Sequence, residues 1–169
     1  MLYGVNTKKC LIREAQSLKL EPEARYTISV NPEDVFSWEA IITPSMESPY
    51  RGAIILLSIK IGINYPKTFS FSHVRCLTEI YHPNINSKGY IKAEVLENSD
   101  WDQDLKIAGL VEALVLIFER PDPRQQYNNS PEIMSVFRND YPKFEKTAQE
   151  IIKKQKLNYR LDVDDSDSD

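Results

Sequence analysis

The chain has 169 residues, enough for one domain with a substantial core, and its 41% hydrophobic and 27% charged residues are ordinary for a soluble globular protein. The formal net charge is −4, yet the last eight residues, Asp162 to Asp169, hold five acids and no base, so the remainder carries +1. A body this neutral argues against a general nucleic-acid binder, and no apolar run approaches the ~20 residues of a membrane span.

The opening Met1-Leu2-Tyr3-Gly4-Val5-Asn6 is too short and polar for a secretory leader, so cytosol or nucleus is the expected compartment. Thr7 is placed to cap a first helix running to about Leu18, with Cys10, Leu11, Ala15 and Leu18 on a loose apolar face, and Glu21-Pro22-Glu23 breaks it. Tyr26, Ile28 and Val30 alternate with polar residues, which predicts a half-exposed strand. After the Asn31-Pro32-Glu33-Asp34 turn, further strands are predicted over Val35–Thr43, Ala53–Ile63 and Phe69–Cys76, together an antiparallel meander.

Residues 77–100 lack clear periodicity but carry Ile80, Ile85, Ile91 and Val95, the mark of an ordered functional loop. Helix returns after Trp101: Ile107, Leu110, Val111, Leu114, Val115 and Phe118 repeat on one helical face until Pro121-Asp122-Pro123. Ser130-Pro131 predicts a short helix through Phe137, and Asp140 starts a last one with Phe144, Ala148, Ile151 and Ile152 inward. The order predicts an α+β fold: one domain over residues 1–157, then an acidic tail over 158–169 without regular structure. Cys10 and Cys76 form no CxxC pair and no zinc spacing, each reads as a small buried hydrophobe, and no metal or cofactor is expected.

The segment Tyr81-His82-Pro83-Asn84-Ile85-Asn86 resembles the ubiquitin-conjugating enzymes, in which a His-Pro-Asn segment shortly precedes the active-site cysteine. Phe36-Ser37-Trp38-Glu39-Ala40, Ser48-Pro49-Tyr50-Arg51-Gly52, Tyr65-Pro66, Trp101, Leu105-Lys106-Ile107, Pro121-Asp122-Pro123 and Pro131-Glu132-Ile133 follow in family order, so the resemblance spans about residues 7–157. It implies the ubiquitin-conjugating fold: an N-terminal helix, a four-stranded antiparallel meander, an active-site loop and three C-terminal helices. In that family a cysteine thiolate carries a modifier as a thioester until a substrate lysine takes it. The Asn of His-Pro-Asn is thought to donate to the oxyanion, which would fall to Asn84, or it only pins the loop. His82 would brace that loop.

The resemblance places the nucleophile at Lys92. A lysine amine has an ordinary pKa of about 10.4 and is a poor nucleophile when protonated. If it took the modifier, the product would be an amide, which does not pass on to another lysine. Neither Cys10, on the first helix, nor Cys76, on a strand, can stand in. Three further departures surround the site: no Pro-Pro pair follows Tyr65-Pro66, Ala93-Glu94 follow position 92, and Arg124-Gln125-Gln126-Tyr127 replaces the family's rim acid, a cation that would repel an incoming ammonium.

Two readings follow. The chain is a non-catalytic variant that binds a ubiquitin-like modifier, an active conjugating enzyme or a ligase component; or it is an active conjugating enzyme whose cysteine is replaced by Lys92 so as to trap the modifier. Relatives imply partner contacts at Lys8, Lys9 and Arg13 on the first helix, facing an activating enzyme. They also imply contacts at Lys67, Asp102 and Gln103, where charge replaces the apolar residues that dock RING-type ligases. Asp102 alternatively caps the helix that follows.

Overall fold

A computed structural model describes residues 2–18, 25–69, 73–97 and 101–166. Helix α1 (Leu2–Ser17) is followed by strands β1 (Tyr26–Asn31), β2 (Asp34–Ile42), β3 (Ile55–Lys60) and β4 (Val74–Cys76). Helices α2 (Lys106–Glu119), α3 (Pro131–Asn139) and α4 (Tyr141–Ser166) complete the order, and the four strands form one antiparallel sheet in sequence order. The α+β architecture expected from the sequence is the one observed.

Period-two alternation explains the sheet's inner face. Trp38, Ala40 and Ile42 on β2 pair with Ile59, Leu57 and Ile55 on β3, and all six are buried. Helix α2 lays Ile107, Leu110, Val111, Leu114, Val115 and Phe118 into the same core, all six the positions its periodicity predicted. Helix α4 adds Phe144, Ala148 and Ile152. Asp140 caps α4 by accepting the Lys143 N–H at 3.2 Å.

Several boundaries differ from expectation. Helix α1 begins at Leu2, so Thr7 lies inside it instead of capping it; its buried hydroxyl is 2.7 Å from the carbonyls of both Ile63 and Tyr65 and ties the helix to the loop after β3. Strand β3 is shorter than predicted: its register with β2 runs from Ile55 to Lys60, a last bond joins the Ile61 N–H to the Phe36 carbonyl at 2.8 Å, and the chain then turns, with the Tyr65 N–H donating to the Gly62 carbonyl at 3.1 Å. β4 is limited to Val74–Cys76, the stretch paired with β3. The Glu21-Pro22-Glu23 break, and residues 70–72 of the predicted fourth strand, lie outside the described residues.

Ser130 occupies the cap position of α3 without a side-chain hydrogen bond. Helix α4 continues to Ser166 instead of giving way to an irregular tail at residue 158. No Gly or Pro follows Pro142, and extending a formed helix avoids the cost of nucleating one.

Candidate functional site

The long loop after β4 is built around His82, which is fully buried. Its ring stacks on Tyr50 (5.1 Å between centroids, 10° between planes) and meets Phe118 edge-on. Nδ1 accepts the Asn84 N–H at 3.0 Å, so the ring proton belongs on Nε2, which donates to the Ile117 carbonyl at 2.9 Å. Burial lowers the His82 pKa to about 4 and keeps the ring neutral. The Ser48–Tyr50 segment supplies the seat: Tyr50 Oη donates to the Tyr81 carbonyl at 2.8 Å and Ser48 Oγ to the Phe118 carbonyl at 2.6 Å.

Asn84 is also fully buried, and its amide is fully engaged within the protein. Nδ2 donates to the carbonyls of Asp122 and Tyr127, each at 2.9 Å, while Oδ1 accepts the Asp122 N–H at 2.8 Å. An asparagine amide has two N–H donors, and both are used here. Asn84 therefore clamps the loop after β4 to the segment after α2. The Pro83 carbonyl strengthens that joint by accepting N–H groups from Asn129 (2.9 Å) and Ser130 (3.2 Å).

From Asn84 the chain makes a tight hairpin. Asn86 Oδ1 accepts N–H groups from Lys88 and Tyr90, each at 3.0 Å, and Ile85 bridges to Ile91. Gly89 has φ +86°, and an added Cβ would lie 2.2 Å from the Cys76 carbonyl oxygen, so only glycine fits that turn. The returning strand buries Ile91 and Ala93 and points Lys92 to solvent. The Lys92 N–H donates to the Asn84 carbonyl at 2.9 Å, and its Nζ donates to the Asn128 carbonyl at 3.1 Å.

Arg124 forms the opposite rim but is no free cation. Its Nη2 contacts Asp122 at 2.7 Å and Glu94 at 2.9 Å, its Nε reaches Asp122 at 3.0 Å, and the guanidinium lies 4.6 Å over the Tyr127 ring. The Arg124 guanidinium in turn holds the Asp122 carboxyl below its usual range. The expectation that Arg124 repels an incoming ammonium needs correction, because two carboxylates neutralise it. Glu94, Asp122 and the Asn128 carbonyl are site groups that the sequence did not single out for these roles. The Pro121-Asp122-Pro123 turn and the Asn128-Asn129 pair were the available signals.

Neither cysteine lies on this loop. Cys76 is buried on β4, and burial pushes its thiol up to about 11. Cys10 lies on α1 with its Sγ 3.7 Å from Glu14, and burial followed by that carboxylate raises it too.

The remaining predicted residues sit elsewhere, and all six are exposed. Lys9, Arg13 and Gln103 line one groove of about 720 Å³ with Pro66 and Lys106. Lys8 lines another, beside Ile12 and the β1–β2 turn. Lys67 lines a third, which shares Asn6 and Pro66 with the first. Asp102 caps the turn before α2 by accepting the Asp104 N–H at 2.9 Å.

Two side chains, Trp101 and Glu14, tie this region together. Trp101 Nε1 donates to the Pro66 carbonyl at 2.7 Å, with its ring stacked on Phe69. The buried carboxylate of Glu14 accepts from Tyr65 Oη and from the Ile107 N–H (3.0 Å) at the start of α2.

A family model described as "Ubiquitin-conjugating enzyme" matches residues 10–152, from the middle of α1 to Ile152 of α4.

Proposed function

The chain belongs to the ubiquitin-conjugating enzyme family, and on that premise we propose that it acts in ubiquitin-like conjugation as a non-catalytic binding or regulatory subunit. The observation that supports this reading is Lys92, an exposed amine hydrogen-bonded to the Asn128 carbonyl, at the position to which the family resemblance assigns the nucleophilic thiolate. When an amine attacks a modifier's thioester, the nitrogen–carbonyl bond forms and the thiolate leaves. The resulting amide is not a leaving group for the next lysine, so a transfer cycle would stop there. The commitment of both Asn84 donors to backbone carbonyls supports the same reading, since neither is left for an oxyanion in this conformation.

The partners proposed are the modifier, an active conjugating enzyme or a ligase component, met in the cytoplasm or nucleus. The groove lined by Lys9, Arg13 and Gln103 is the first surface to test. A second reading, an active enzyme trapped by Lys92, draws on the fully satisfied bracing of His82, which a restored thiol would need.

Lys92→Cys, supplied with activating enzyme, ATP and modifier, separates the two. We expect no adduct that a reducing agent cleaves. Such an adduct would overturn the non-catalytic reading and favour the second. Affinity capture should recover a conjugating enzyme, a modifier or a ligase component.

A further inference from the structure

Among the described residues Ile152 is the last buried one of α4, and the helix runs on from it to Ser166. Leu157 and Leu161 lie one turn apart, so they share a face, and they are 59% and 57% exposed. Two leucines this open on an extended helix lack an intramolecular cover. The charge around them reverses sign after Arg160: Lys153, Lys154, Lys156 and Arg160 come first, and the sequence has Asp162, Asp164 and Asp165 after them.

We propose that this helix end is a self-association surface, and that a second copy of the chain binds it antiparallel across a two-fold axis level with residue 159. That register sets Leu157 against Leu161 of the second copy and Lys156 against its Asp162. Lys153 and Lys154 then come level with positions 165 and 164 of the second copy, both aspartate in the sequence. A two-fold interface must be complementary to itself, and this pattern is. Parallel pairing would instead oppose lysine to lysine and aspartate to aspartate. Antiparallel pairing also brings cations to a helix end whose own acids oppose its dipole.

The contact is small. A paired stretch of about 20 Å with two leucines per copy falls well short of the roughly 1,000 Å² of a stable interface, so the dimer is weak and concentration-dependent. Its ion pairs are exposed, so salt weakens it. The proposal is independent of the reading of Lys92.

Sedimentation of the full chain between about 10 and 500 µM tests it. At about 0.02 M salt the mean mass should climb toward that of a dimer, with affinity falling about tenfold or more at about 0.5 M. The triple variants Lys153→Glu/Lys154→Glu/Lys156→Glu and Asp162→Lys/Asp164→Lys/Asp165→Lys should each be monomeric alone and associate when mixed. Leu157→Ala/Leu161→Ala should abolish association, with the thermal melt serving as the folding control. A wild-type chain monomeric throughout at low salt would overturn the proposal. So would a dimer that ignores the charge changes, or two charge variants that fail to associate with each other.

Discussion

Asn84→Ala isolates the joint between the loop after β4 and the segment after α2. The substitution removes three hydrogen bonds of 2.8–2.9 Å and strands the carbonyls of Asp122 and Tyr127 and the N–H of Asp122. A lost hydrogen bond weakens folding by about 1 kcal/mol, and a buried group left unpaired by about 1–3 kcal/mol. Asp122 is only partly buried and water will reach some of these groups, so a total of about 2–4 kcal/mol is expected. In a chain of this size that lowers Tm by roughly 5–15 °C, measurable by circular dichroism.

Asn84→Asp sharpens the test, because it keeps the acceptor and the shape but turns a carboxylate toward two carbonyl oxygens. That acid would have a raised folded pKa, so the loss should be greatest at neutral pH and diminish as pH falls and the carboxyl gains a proton. An Asn84→Ala protein melting within about 2 °C of wild type would refute the clamp.

His82 has a folded pKa of about 4 against an ordinary 6.5, so below pH 6.5 the unfolded chain takes up a proton that the folded ring refuses. Its share of stability is therefore complete above pH 6.5 and declines by roughly 3 kcal/mol down to pH 4; urea melts of wild type against His82→Gln should differ by that slope. Glu14→Gln takes the charged acceptor from both Tyr65 Oη and the Ile107 N–H, puts an NH2 donor in place of one carboxylate oxygen, and should lower stability by about 1–3 kcal/mol in chemical denaturation. Lys106 holds φ 61° and ψ 176°, a region natural only to glycine, so Lys106→Gly should raise Tm by about 2–4 °C, unlike most changes to Gly in a helix.

Much of the framework was legible before any coordinates. The helical repeat from Ile107 to Phe118 and the alternation of Trp38, Ala40 and Ile42 are local patterns with the period of the element that carries them. The His82-Pro83-Asn84 segment marked where the chemistry of the family would sit. Its hydrogen-bond partners were not legible, because Ile117, Asp122 and Tyr127 lie 35 to 43 residues away. Thr7 shows the same limit: before an apolar run it looks like a cap, but its partners at Ile63 and Tyr65 are 56 and 58 residues on.

Element order, strand pairing and the amine at position 92 follow from residue identity and spacing, since periodicity and nucleophilicity are properties of neighbours and of single side chains. The tertiary structure decided what charge and polarity mean in place. Arg124, a repelling cation on paper, is tied down between Asp122 and Glu94, and Glu14, an unremarked acid, is buried under Tyr65 at the mouth of α2. The physical reason is that electrostatic and hydrogen-bond energies depend on distance and burial, and both are set only when remote segments meet.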